Sequence, residues 1–175
     1  MSAAVRRLLR ERGAAGIEHP GGTLYAHLGR VADRLARLGA PEHVQVAGLA
    51  HAVYGTDGFG VVLVDLADRD VVRDAAGAAA EALVFRYGAC DRSRTWRDLA
   101  ASRRVVDRFT GEAEALDTAA LRDFVDLTVV NEVDVLEHSP ELAARHGASL
   151  RSLFASWAGL GTPAVMADAA RALAG

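Results

Sequence analysis

The chain has 175 residues, 51% of them hydrophobic and 25% charged, and a formal net charge of -3. That length suits one substantial core and argues against two large domains. The charge balance leaves no broad basic field for nucleic acid, although arginines crowd the stretches Arg6 to Arg12 and Arg92 to Arg104.

The early arginines also interrupt any secretion signal, and no apolar run is long enough to span a bilayer. The single cysteine, Cys90, excludes an internal disulfide and makes a cysteine-only metal cluster implausible. These features lead to the expectation of a cytoplasmic protein with a small-molecule substrate and no membrane or nucleic-acid partner. Alanine-rich helical faces fit packing within the chain or across a two-fold axis, so a homodimer stays open beside a monomer.

Met1 to Glu11 reads as a short amphipathic helix, and Ile17 to Thr23 as a loop broken by Pro20, Gly21 and Gly22. Residues 1–22 are thus expected to be an N-terminal helical extension and loop, and 23–175 one helical domain. Thr23 is placed to cap a helix whose stripe is Leu24, His27, Leu28, Val31, Leu35 and Leu38. Gly39 closes it, and Pro41 suits the first turn of the next helix, where its missing amide hydrogen is harmless. In that second helix Val44, Ala47 and His51 share a face, and Gly55 supplies the permissive backbone that ends it. Two neighbouring helices therefore aim His27 and His51 at one interior.

The run Gly60 to Leu66 reads as a helical turn or irregular connector, because no second strand stands ready to pair with it. Val71, Val72, Ala75, Ala76, Ala79, Leu83 and Tyr87 predict one helix running through Gly77 and ending near Gly88. Asp91 or Ser93 then caps a helical region from Trp96 to Phe109. From Gly111 the longest pattern carries Leu116, Ala120, Phe124, Leu127, Asn131, Val135 and His138, with Asp123, Asp126, Glu132, Asp134 and Glu137 on its faces. Ser139 and Pro140 open a further helix through Leu142, His146, Leu150, Leu153 and Trp157. Pro163 to Leu173 forms a cover helix with Val165, Ala169 and Leu173 inward. His19 is a candidate for the mouth of a pocket and His138 and His146 for its edge, but exposed or capping positions are the expectation for all three.

A histidine on an apolar face is more often a satisfied core side chain than a ligand. Two such histidines, one leading into Tyr54-Gly55-Thr56-Asp57, make a site worth weighing. Two neutral imidazoles and one carboxylate suit Zn²⁺, Fe²⁺ or Mn²⁺. Asp57 or Glu132 would then orient or deprotonate water, while Arg86 or Arg92 receives substrate charge. In a metal-free version His51 acts as acid or base, Tyr54 and Thr56 orient a small organic substrate, and His27 stands opposite, a pocket suited to isomerisation, elimination or cyclisation. Asn131 interrupts an apolar stripe, so its amide needs specific partners.

His27, the segment Ala47 to Phe59 with His51-Ala52-Val53-Tyr54-Gly55-Thr56 at its centre, and later Val130-Asn131-Glu132 carry a resemblance. They resemble a bacterial and fungal family marked by a histidine followed shortly by Tyr-Gly-Thr, itself similar to the HD-domain superfamily. The resemblance extends over much of Leu24 to Glu137. It implies a compact all-α, HD-domain-like helical bundle in which an isolated histidine, a His-Asp pair and a later aspartate hold divalent metal. His27 looks like the isolated histidine and His51 like the histidine of the pair, whereas Ala52 stands where the paired aspartate belongs. Asn131 is nearest to the later acidic place, with Asp126 or Glu132 able to substitute in space. The expectation is a metal-dependent enzyme acting on a small organic or phosphorylated substrate, with hydrolysis ahead of mononuclear iron oxygenation. The alternatives are the metal-independent isomerase, lyase or cyclase, and a nonenzymatic small-ligand-binding helical module.

Overall fold

The computed structural model describes residues 3–174, and they form an all-α bundle with two small hairpins at its edge. Its helices are α1 (Ala3–Glu11), α2 (Leu24–Arg37), α3 (Glu42–Ala50), α4 (Arg69–Ala76), α5 (Ala78–Ala89), α6 (Arg92–Thr95), α7 (Leu99–Ser102), α8 (Thr118–Glu137), α9 (Pro140–Ser156) and α10 (Pro163–Ala172). The axis of the bundle is α8. From Phe124 to Asp134 every one of its residues is buried, and α2, α3, α5, α9 and α10 pack around it. Asp117, Ser139 and Thr162 cap α8, α9 and α10 by accepting backbone N–H groups of their first turns.

The antiparallel pair α2 and α3 follows from its sequence as expected. Thr23 caps α2 by accepting Ala26 N–H at 3.2 Å, and the inward stripe Leu24, His27, Leu28, Val31 and Leu35 is buried. Gly39 takes φ 78°, and Pro41 sits one position earlier than predicted, at the cap of α3 rather than in its first turn. After α3 the chain makes a turn and then the irregular connector expected around Gly60 to Val64, which is fastened when Leu63 and Val64 both donate to Val53 O.

Four expectations are corrected. The first is that 1–22 is an extension: Val5, Leu8 and Leu9 of α1 are buried in the same core as the rest, while Met1 and Ser2 lie outside the described residues. The second is a single helix through Gly77. That residue adopts φ 87° and ψ 154°, a conformation open to glycine and incompatible with a helix, so α4 and α5 are separate. The third is a helix from Trp96 to Phe109. There α6 and α7 give way to strand β3 (Arg104–Val106), which pairs antiparallel with β4 (Ala113–Ala115), Val105 opposite Glu114. Val105 and Val106 are buried, and β-branched side chains fit that pleated surface. The long helix accordingly begins at Thr118, not Gly111. The fourth is an open loop at His19: β1 (Glu18–His19) and β2 (Gly22–Thr23) pair as an antiparallel hairpin that folds back against α2.

Candidate functional site

The two histidines do meet. His27 is 1% exposed and His51 2%, their rings stand edge to face with centroids 5.2 Å apart, and their Nε2 atoms are 3.4 Å apart. Gly48 allows the approach: a Cβ there would fall 2.6 Å from Leu35 Cδ1, 3.3 Å from Val31 Cγ1 and 3.5 Å from the Ala32 backbone. With hydrogen in that place α3 lies tightly against α2, and the rings one turn further on come together.

The outer nitrogen of each ring is committed. His51 Nδ1 lies 2.8 Å from Gly48 O, and His27 Nδ1 lies 2.7 Å from Asp134 Oδ2. A carbonyl only accepts, and so does an ionised carboxylate. Burial alone would raise the Asp134 carboxyl, but hydrogen bonds from His27 and Arg30 outweigh it and hold the group far below the usual carboxylate range. Arg30 grips both Asp134 oxygens at 2.9 Å. Both histidines therefore carry a proton on Nδ1, and when neither carries a second one they present a bare Nε2 to one another. Burial, then the neighbouring His27, lowers His51 to about 3, so at neutral pH it is an uncharged imidazole.

Asn131 adds a third lone pair. Its Nδ2 donates to Glu132 Oε1 at 2.9 Å, which turns the amide so that Oδ1 faces His27 Nε2 at 3.0 Å. Three electron-rich atoms thus converge with no hydrogen between them in the neutral state. Arg92 steadies the far side of this arrangement: Nη1 donates to Glu132 Oε1 at 2.9 Å and Nη2 to Tyr87 Oη at 3.0 Å.

The convergence opens on a cavity of about 410 Å³ whose lining includes His27, His51, Ala52, Thr56, Arg92, Asn131 and Glu132. Phe59, Trp96, Leu142 and Leu150 supply much of its apolar wall. His19 belongs to it too, stacked on His27 with centroids 4.1 Å apart and planes 24° from parallel. Arg30 fastens this part of the hairpin by donating to Pro20 O and Gly21 O. Burial, then the charge His27 can carry, lowers His19 to about 4. The expectation of an exposed loop histidine is thereby corrected. His146 is exposed and contributes to the lining, whereas His138 is exposed and donates Nδ1–H to Asp134 O near the end of α8.

Of the residues singled out by sequence, His27, His51, Thr56, Arg92, Asn131 and Glu132 share this cavity, and four others do not. Asp57 instead accepts Arg92 N–H at 2.9 Å and anchors the start of α6. Tyr54 donates its hydroxyl to Glu81 at 2.9 Å, in a separate cluster closed by Arg69. Asp126 faces α10, accepting Thr162 N–H at 2.8 Å. Arg86 pairs bidentately with Glu114 of β4. Neither the catalytic use of Tyr54 and Asp57, nor a metal-ligand role for Asp126, nor substrate binding by Arg86 at this cavity agrees with these positions. Sequence reasoning set His19 aside as an exposed loop residue, missed Tyr87 and Trp96, and passed over Asp134 among the acids of α8. Asp134 could have been found by its helical spacing, one turn beyond Asn131 on the same face. For Trp96 there was no signal.

Residues 8–92 match the model of a family described as a domain of unknown function (DUF6817). The match contains His19, His27, His51, Thr56, Tyr87 and Arg92 and stops short of Trp96, Asn131, Glu132 and Asp134. No curated protein and no solved structure matches the chain.

Proposed function

We propose that the chain is a metal-dependent enzyme acting on a small organic substrate, its ion held by His27 Nε2, His51 Nε2 and Asn131 Oδ1. The observation that carries this reading is the convergence of three lone pairs whose other polar atoms are all tied back into the protein. Unrelieved, that contact is repulsive; a cation removes the repulsion. Nitrogen ligands about 2.0–2.1 Å from one tetrahedral ion would stand about 3.4 Å from each other, the spacing of the two Nε2 atoms, while Asn131 Oδ1, 3.0 Å from His27 Nε2, would have to draw back by a few tenths of an ångström. An outer carboxylate on a ligating histidine is also the usual way its ring is oriented and made more basic, and Asp134 stands there. Among the described residues no three His, Cys, Asp or Glu side chains form a metal-binding group, so the third donor is an amide oxygen. The resemblance to HD-domain proteins supports the same assignment, with Ala52 and Asn131 as its two departures.

A Zn²⁺, Fe²⁺ or Mn²⁺ ion held here would acidify water for hydrolysis and polarise a substrate carbonyl. Around it the protein supplies orientation and a proton acceptor. Glu132 lines the cavity, and its bonds to Arg92 and Asn131 both fall on Oε1, leaving Oε2 to take a proton. Thr56 adds a hydroxyl to the wall. A second reading draws on the missing third anionic ligand: a proton on His27 Nε2, shared with Asn131 and His51, also relieves the repulsion and makes the pair a metal-free acid–base group.

Metal analysis by plasma mass spectrometry, before chelation and after reloading with each of the three ions, separates the two. About one equivalent in the wild type, lost from folded His27→Ala and His51→Ala, is expected. Folded wild-type protein that retains none of the three ions ends the metal reading in favour of the acid–base pair.

A further inference from the structure

Among the described residues two buried side-chain polar atoms have no hydrogen-bond partner, His19 Nδ1 and Trp96 Nε1, and both belong to residues lining the same cavity. An indole N–H only donates, so its buried site requires an acceptor that the protein does not provide. Leaving such a group unpaired costs about 1–3 kcal/mol, and a ligand oxygen removes that cost. The walls add a second constraint. Arg92 is the cavity's guanidinium, and it is already neutralised by Glu132, bonded to Tyr87 and laid over the Trp96 ring at 4.8 Å. Among the described residues no other arginine and no lysine lines the space, so apart from the proposed ion the walls offer no free guanidinium or ammonium to a phosphate or sulfate. Phe59, Leu142 and Leu150 instead offer apolar surface, and about 410 Å³ lies near the small end of the roughly 300–1,000 Å³ of small-molecule sites.

We infer that the cavity takes a small, uncharged organic molecule bearing a carbonyl oxygen, which accepts the Trp96 Nε1–H bond while the carbon skeleton rests against Phe59, Leu142 and Leu150. The inference narrows the substrate class of the proposed enzyme and rests on that reading for its catalytic meaning. It replaces the phosphorylated substrate among the expectations with a neutral carbonyl compound.

The probes are 1-tetralone, the hydrocarbon tetralin, which lacks the oxygen, and 1-naphthyl phosphate, each titrated into full-length protein by ligand-observed NMR. Wild-type protein should prefer 1-tetralone. Trp96→Phe keeps an aromatic wall and the backbone carbonyl that accepts the Trp157 indole N–H, so it should fold. In that variant the Kd for 1-tetralone should rise about three- to tenfold, the worth of one neutral hydrogen bond, while tetralin binds both proteins alike. Equal 1-tetralone affinity in the two proteins, tighter binding of 1-naphthyl phosphate, or no binding of 1-tetralone overturns the inference. Metal content measured on the same samples keeps the two questions apart. Loss of the tetralone preference with metal retained defeats only the substrate class, and a preserved preference without metal defeats only the metal.

Discussion

His51 and Tyr54 leave the same turn and enter two different buried polar clusters. Tyr54 joins Glu81 and Arg69: the hydroxyl and the guanidinium both donate to the carboxylate, and Arg69 lies over Phe85 at 3.7 Å. Every contact there joins a donor to an acceptor. Burial alone would raise Glu81, but bonds from Arg69 and Tyr54 lower it, while burial and then Glu81 raise Tyr54, so both charge states are settled. Around His51, with both rings neutral, acceptor meets acceptor, and a cavity adjoins the contact. Two clusters of similar burial thus differ in whether their hydrogen-bonding capacity is used up within the protein. Complete use marks a device for holding α4, α5 and the 51–54 turn together; on the proposed reading, the capacity left over in the other is what a bound ion takes up.

The sharpest way to break this contrast is Glu81→Ala. It strands the Tyr54 hydroxyl and the Arg69 charge, and should lower stability in urea by about 2–3 kcal/mol, below the full cost of a buried pair because Arg69 reaches water. Metal uptake should be unchanged; a loss under about 0.5 kcal/mol would show that the closed cluster holds nothing. Asp134→Asn works on the open cluster. It weakens the outer bond to His27 and should reduce metal affinity about 10–100-fold while far-ultraviolet circular dichroism stays the same; unchanged affinity would remove Asp134 from the site.

The smallest effect sharpens the contrast from a third position. Burial raises Asp126 to about 6, against bonds from Thr162. With a folded value above the unfolded one, the native state holds the extra proton, so this contribution is full below about pH 4 and is lost as pH rises through about 6. Asp126→Asn keeps an oxygen for Thr162 N–H and should gain about 1–2 kcal/mol over the wild type at pH 8, vanishing near pH 4. A gain independent of pH would mean that the carboxylate is not charged against its surroundings. Metal content should not change in this variant, since Asp126 lies against α10.

The all-α bundle was legible because the stripes Leu24 to Leu35 and Phe124 to Val135 repeat at helical spacing; the first buries as that spacing demands, whereas α8 is buried on every side from Phe124 to Asp134 and Val135 only in part. The hairpins were not, since strands of two or three residues are too short for a period of two to emerge. Gly77 was misjudged because a lone glycine within a helical pattern is often tolerated, and only its φ of 87° shows the break. Within the site, the meeting of His27, His51 and Asn131 could be anticipated, each interrupting an apolar face. The roles of Tyr54 and Asp57 could not, because a turn of Tyr-Gly-Thr-Asp beside a histidine reads as one unit while its side chains part company in space. His19 and Trp96 were out of reach, since what matters about them is a stacking partner or a missing acceptor supplied by distant parts of the chain.

Gly48 ties the electronic state of the site to its dimensions. The missing side chain sets how near α3 lies to α2, and the carbonyl of the same residue chooses which nitrogen of His51 keeps the hydrogen. Loosening that one contact alters gap and tautomer together.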